Sequence, residues 1–115
     1  MQTFGINYCG AITDGWDTIA PVTAINTAMS EGVPSISSDG LELYFSRLTN
    51  GVGTDRVFVT RRSSTATAFP AAAQIMEIDL GTPESDPTIS LDGATLWFAA
   101  YGTDADIYSS QRTCL

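Results

Sequence analysis

Lysine and histidine are both absent from this chain of 115 residues, so its five basic residues are all arginine. Thirteen acidic residues give a formal net charge of −8. Such an anionic surface repels phosphate backbones and attracts cationic groups, so we expect no nucleic-acid partner. Without histidine, the commonest general base and transition-metal ligand is missing. The composition therefore predicts no catalytic residue, no metal site and no cofactor.

Long apolar runs and a cysteine framework are also lacking. No stretch approaches the roughly 18 apolar residues that a membrane-spanning helix needs, so we expect no membrane insertion. The N-terminal stretch MQTFGINYCG lacks the basic start and apolar core of a signal peptide. The two cysteines, Cys9 and Cys114, lie near opposite ends of the chain and form no metal motif. Two unpaired thiols and a disulfide between them both remain open.

Long helix-forming runs are missing too, whereas turn-forming and small polar residues are plentiful. The chain has ten glycines and five prolines, and 43% of its residues are hydrophobic against 16% charged. This balance is that of one ordinary globular domain. The abundance of glycine, proline, serine and threonine favours an all-β fold.

One phrase of the sequence occurs twice, 53 positions apart. Residues 31–46, EGVPSISSDGLELYFS, align with residues 84–99, ESDPTISLDGATLWFA, and eight of these sixteen positions are identical. The same offset aligns Trp16 with Phe69, and we expect this aromatic pair to pin one repeat to the next. The chain therefore divides into an N-terminal extension at 1–15, a first repeat at 16–68 and a second repeat at 69–115.

Each repeat carries short strand signals at regular spacing, with the turn Ser-x-Asp-Gly between the first two strands. In this turn we expect Asp39 and Asp92 to cap the backbone and Gly40 and Gly93 to adopt positive φ, which is structural work rather than chemistry. The predicted strands of the first repeat are 33–37, 41–47 and 56–62. A fourth strand is predicted at 73–80 and is matched upstream by 21–28, and 106–112 is a counterpart of the third strand.

The second strand of each repeat is apolar on both faces. Leu43 and Phe45 point to one side of the strand and Tyr44 to the other, and residues 96–98 repeat this arrangement. A sheet with large apolar groups on both faces must be covered on both sides. Four-stranded sheets that repeat and stack face to face are typical of a β-propeller.

The repeated pattern P-x-I-S-x-D-G-x-x-L-Y/W-F, followed by a glycine-rich loop and an I/V-Y/F strand, resembles the WD40-like, TolB-type propeller repeat of bacterial envelope proteins. The resemblance spans roughly residues 16–112 and occurs twice, although Arg56 stands where the family has aspartate. It implies a binding or scaffolding propeller in an extracellular or envelope setting, not an enzyme. The matching residues in the first repeat are Val22, Asn26, Thr27, Glu31, Pro34, Ser37, Asp39, Gly40, Leu43, Tyr44, Phe45, Val57, Phe58, Arg61 and Arg62.

Two repeats are too few for a ring, because propellers typically close with about four to eight blades. Either the chain is a piece of a longer array, or copies assemble head to tail and residues 21–28 complete the last blade of a neighbour. For self-assembly, three chains giving six blades is the first expectation, with two or four chains as alternatives. Residues 2–9 resemble another copy of the third strand of a repeat, and such a ring has no free position for it.

One end of the predicted sheets gathers charged loop residues, and we expect this end to bind a protein or glycan. The alternatives are a self-assembling structural block and a fragment of a larger envelope protein or enzyme. Solvated loop charge without a ligand is the plainer interpretation of the same residues. The candidate binding residues are Glu31, Arg47, Asp55, Glu84, Asp86 and Asp104.

Overall fold

A computed structural model describes residues 15–16, 18–49 and 54–113, and within them the fold is all-β, as predicted. The described strands form two antiparallel sheets. The first sheet has the order β1-β2-β3-β4 and the second has the order β5-β6-β7. The strands are β1 Glu31–Ile36, β2 Glu42–Leu48, β3 Asp55–Arg61, β4 Ala73–Gln74, β5 Glu84–Ile89, β6 Thr95–Tyr101 and β7 Ala105–Gln111.

The predicted fourth strand over 73–80 is wrong beyond its first two residues. After β4 the chain forms a single 3-10 turn at Met76–Ile78, which the Asp79 N–H closes on the Met76 carbonyl at 3.1 Å. Ile75 and Ile78 both pack into the core, and a spacing of three suits a 3-10 turn, where side chains at i and i+3 align. No helix in the described part of the chain is long and apolar enough to cross a membrane.

The predicted strand over 21–28 is also wrong. The N–H groups of Ile25 and Asn26 both donate to the Val22 carbonyl, at 3.2 and 3.3 Å, so the chain turns at residues 23–25. With the offset of 53, this turn falls on the 3-10 turn Met76–Ile78. The internal repeat therefore extends upstream of β1, as a turn instead of a strand.

Both hairpins use the Ser-x-Asp-Gly turn in the same way. In the first, an Asp39 Oδ1 atom accepts hydrogen bonds from the Ser37 hydroxyl at 2.7 Å and the Leu41 N–H at 3.0 Å, while Gly40 has φ +75°. In the second, Asp92 Oδ1 accepts from the Ser90 hydroxyl at 2.6 Å and the Ala94 N–H at 3.0 Å, and Gly93 has φ +74°. These bonds lower the pKa of both aspartates, the serine hydroxyl first and the backbone N–H second.

The core between the sheets joins one face of the first sheet to one face of the second. Because Tyr44 lies opposite Val59 in the β2–β3 ladder, their side chains share a face. This face packs on Leu96 and Phe98 of β6, and Ile78 fills the junction. Apolar burial of this kind contributes roughly 1.5–3 kcal/mol per large side chain.

The opposite face of the first sheet has a core of its own. Phe45 and Phe58 stack there with their ring centroids 5.9 Å apart, and the cluster also contains Ile25 and Phe69. The second sheet repeats the stacked pair as Phe98 and Tyr108, at 6.0 Å. The first sheet is therefore covered on both faces.

The outer face of the second sheet is exposed instead. Trp97 is 48% exposed and Ile107 is 73% exposed, although the first-sheet residues at their places, Tyr44 and Val57, are 3% and 1% exposed. Every residue of β7 is exposed. The second sheet is thus built like the first but lacks its cover among the described residues.

Candidate functional site

The outer edge of β7 has no strand partner among the described residues, whereas the matching edge of β3 pairs with β4. In the first sheet, Phe58 lies opposite Gln74 and Val59 lies opposite Ala73. The residues at the corresponding places of β7 are Tyr108 and Ser109. A bare strand edge presents unpaired backbone donors and acceptors, which another chain can bind.

Under the offset of 53, the upstream segment, residues 18–22, corresponds to residues 71–75, which are β4, the two residues before it and the one after it. All five residues are exposed, with Ile19 at 96% and Val22 at 40%. Trp16, the counterpart of Phe69, is fully exposed, although Phe69 is only 9% exposed. The chain therefore carries a fourth-strand equivalent at one end and an open edge at the other.

The six predicted binding residues lie at the same end of their sheets, because each sits at a strand end or in a loop opposite the hairpin turns. The structure joins Glu31 to Arg47 through a 2.9 Å ion pair. The Arg47 guanidinium also donates to the Ile25 carbonyl at 2.8 Å and lies 4.4 Å from the centre of the Phe58 ring. This pair ties the turn before β1 to the first sheet.

The carboxylates of Glu31 and Glu84 occupy equivalent, sheltered places. Desolvation raises the pKa of Glu31, but hydrogen bonds from Thr27 and Arg47 outweigh it and leave the pKa below its ordinary value. Glu84 is 1% exposed and accepts the Leu80 N–H at 3.0 Å. Desolvation raises the pKa of Glu84 above its ordinary value. Each glutamate accepts a backbone N–H from the residue four positions earlier, which fixes the loop entering β1 or β5.

The remaining aspartates of this end are nearer to solvent. Tyr101 donates its hydroxyl to Asp86 Oδ2 at 2.8 Å. That bond and the charges of Asp86 and Asp55 raise the pKa of Tyr101, so the structure brings these two aspartates near one tyrosine. Asp104 is exposed in the loop between β6 and β7. Binding of a ligand by these residues stays a prediction.

Arg56 lies at the same end and makes contacts that the repeat pattern does not signal. Its guanidinium lies 3.4 Å from Asp79 and 3.7 Å from Glu84, so it links the first sheet to the loop before the second. No group of three or more potential metal-ligating side chains occurs within the described ranges. Cys9 and Cys114, whose pairing was left open, and residues 2–9 lie outside those ranges.

A charged network at the opposite end joins the two sheets and was not predicted. Glu42 accepts hydrogen bonds from Arg61 at 2.6 Å, from Arg112 at 2.6 Å and from the Tyr44 hydroxyl at 2.9 Å. Desolvation raises the pKa of Glu42, but the bonds from Arg112, Arg61 and Tyr44 outweigh it and lower the pKa to about 2. Desolvation and the Glu42 carboxylate raise the pKa of Tyr44 to about 12.

A cavity of about 360 Å³ lies between the two sheets beside this network. Tyr44, Val59 and Ile75 line it from the first sheet and the residue after β4. Leu96, Ser110 and Arg112 line it from the second. Apolar and polar side chains both line this cavity, so it can take an amphipathic side chain of a partner.

Comparisons of the chain with protein-family models, with curated proteins and with solved structures found no match.

Proposed function

We propose that this protein is a non-enzymatic β-propeller interaction module whose ring is completed head to tail by further copies of the chain. Three chains would give six blades. The ring would present its acidic loop end to a cationic protein or glycan, in the extracellular or envelope setting that the repeat resemblance implies. The open edge of β7, together with the exposed upstream segment that corresponds to β4, carries this proposal.

The backbone register supports pairing between the upstream segment and β7 of another copy. In the first sheet the Ile75 N–H donates to the Val57 carbonyl at 2.9 Å, so these two residues form a hydrogen-bonded pair. Opposed residues of antiparallel strands alternate between bonded and non-bonded pairs, which makes Phe58 and Gln74 a non-bonded pair. The counterpart of Gln74 is Pro21. A non-bonded position requires no backbone N–H, so proline is compatible with strand pairing there.

The exposed face of the second sheet supports the same contact. In the first sheet, Tyr44 is buried against Ile78 and Phe98 of the following sheet. Repeating that step would cover Trp97 of one copy with the first sheet of the next. A large exposed apolar surface that is rimmed by polar residues favours association. Such a contact uses two different surfaces, so it must close into a ring or continue as a filament.

The solution mass of the chain tests this proposal. We expect sedimentation velocity at micromolar concentration to show one closed species of three chains, with two or four chains also consistent with a ring. Electron microscopy distinguishes a ring from a filament. A stable, folded monomer across this concentration range would exclude completion by copies and favour the alternative that the two sheets belong to a larger protein.

The proposed ligand end is tested separately on the assembled protein. We expect a glycan array or a set of arginine-rich peptides to yield binders whose affinity falls with salt, because the surface is anionic. Asp86→Asn and Asp104→Asn should weaken that binding, whereas Asp92→Asn in the opposite hairpin turn should not. If neither the glycan array nor the peptides yield a binder, ligand recognition would be excluded from the proposal and assembly would remain as the function.

A further inference from the structure

We propose that Trp16 of one copy inserts into the inter-sheet cavity of the next copy and lies against Arg112, which makes this tryptophan the anchor of the head-to-tail contact. This inference deepens the proposed function and rests on it. The occupant is therefore a named side chain of a second copy of this chain.

The first sheet shows how such an anchor is built. Phe69 lies in the connection from β3 to β4, is 9% exposed, and clusters with Phe45 and Phe58. The guanidinium carbon of Arg62 lies 4.1 Å from the centre of the Phe69 ring. At the same time Arg62 Nε donates to the Gly40 carbonyl at 2.8 Å, so hydrogen bonds in the guanidinium plane are compatible with stacking on its face.

The second sheet has equivalents of the residues that surround the Phe69 ring in the first sheet. Arg112 follows β7 as Arg62 follows β3, and its Nε donates to the Gly93 carbonyl at 2.7 Å, in the equivalent hairpin turn. Leu96 and Ser110 stand at the places of Leu43 and Thr60. All three second-sheet residues line the cavity of about 360 Å³.

Within the part of the chain that the structure describes, the second sheet lacks a counterpart of Phe69, but an equivalent aromatic side chain occurs near the start of the first repeat. Trp16 aligns with Phe69 and is fully exposed, which is unusual for the largest apolar side chain. A cavity of roughly 150 Å³ is enough to hold benzene, so the space is sufficient for an indole ring. Buried tryptophan beside arginine is a common composition for the centre of a protein interface.

Four chains test the anchor by sedimentation equilibrium: the wild type, Trp16→Ala, Trp16→Phe and Ile19→Ala. We expect Trp16→Ala to weaken association by about tenfold or more. Trp16→Phe installs the residue that serves at position 69, so it should associate within about threefold of the wild type. Ile19→Ala is the matched control, because it removes a neighbouring exposed apolar side chain but installs the counterpart of Ala72.

Mixing two defective chains provides an independent readout. Ser110→Phe fills the cavity from its own strand and keeps Trp16, whereas Trp16→Ala keeps the cavity. At a concentration between the dissociation constants of the wild type and of Trp16→Ala, each chain alone should stay monomeric, and an equimolar mixture should form a dimer with one intact junction. Matching far-UV circular dichroism and thermal unfolding of the isolated chains would show that both variants fold.

The outcomes separate this inference from the proposed function. A wild type that assembles while Trp16→Ala assembles equally well would overturn the anchor and leave head-to-tail completion standing. A monomeric wild type would overturn both. Assembly lost in Trp16→Ala and regained in Trp16→Phe would establish the anchor when the circular dichroism and thermal unfolding of the isolated chains match.

Discussion

Ser38 in the first hairpin turn donates its hydroxyl to the Leu91 carbonyl in the second turn at 2.8 Å, and these two residues are equivalent under the offset of 53. The Ile89 N–H donates to the Ser35 hydroxyl at 3.3 Å, one position beyond Thr88, the counterpart of Ser35. Contacts between equivalent and neighbouring places mean that the second sheet follows the first by one regular step. Such a step can be repeated by further units, which is how stacked-repeat proteins grow.

Glu42 should make the protein sensitive to acid. A carboxylate whose folded pKa is depressed contributes stability above its unfolded pKa, and that contribution is lost as the pH falls through the folded pKa. The pKa of Glu42 falls from 4.5 to about 2, so its contribution should decline between these pH values. Glu42→Gln should cost about 2 kcal/mol of unfolding free energy at pH 6. Urea unfolding at pH 6, 4 and 2.5 should show this cost shrinking toward zero.

Glu84→Gln is the matched control for that experiment, because it makes the same change at a carboxyl whose pKa is raised. A raised pKa contributes stability below the unfolded value, and this contribution is lost as the pH rises. Relative to the wild type, Glu84→Gln should therefore become more stable as the pH rises above 4.5, the reverse of Glu42→Gln. Parallel pH profiles for the two variants would contradict the network around Glu42.

Gly40 should resist substitution. Its φ of +75° is unfavourable for other residues, and an added Cβ would lie 3.3 Å from Thr65 Cγ2. We expect Gly40→Ala to cost about 1–2 kcal/mol by thermal unfolding. Gly102→Ala is the control, because no atom lies within 4 Å of its added Cβ and no positive φ is involved. Equal melting temperatures for the two variants would contradict the strained turn.

The hairpin strands could be placed from the sequence because local signals agreed with the fold. Alternating apolar residues and the Ser-x-Asp-Gly turns predicted strands at 33–37, 41–47 and 56–62, close to β1, β2 and β3. The predicted strand at 106–112 likewise lies close to β7. In these stretches, side-chain alternation and turn chemistry require the same backbone.

The stretches that failed are those where packing between sheets overrides the local pattern. Alternation around Ile75 and Glu77 predicted a strand, but filling the junction with both Ile75 and Ile78 requires the tighter 3-10 turn. The network around Glu42 could not be foreseen either, since its repeat counterpart is Thr95 and Arg112 reaches it from the other sheet. An ion pair between sheets becomes visible only once the sheets are stacked.

Val33 should be a site where stability can be gained. It has φ +51°, a left-handed conformation that is costly for a β-branched residue, at the register shift between β1 and β2. The equivalent residue, Asp86, has φ +57°, and aspartate and asparagine tolerate this region better. Val33→Asn should raise the unfolding free energy by about 1 kcal/mol. Ile36→Asn, at a half-exposed place of the same strand with ordinary φ, should lower it instead.

Val22 tests the hydrogen bond that the β7 edge would receive in an assembled ring. It corresponds to Ile75, whose N–H donates to the Val57 carbonyl at 2.9 Å, so its partner in a neighbouring copy would be the Ile107 carbonyl. Val22→Pro removes this donor and should weaken association by about tenfold in sedimentation equilibrium. Thr23→Pro is the control, because position 23 is the second residue of a turn, where proline is favoured. Pairing at the register of β4 requires the Val22 N–H. If both proline variants assemble like the wild type, the upstream segment therefore does not pair with β7.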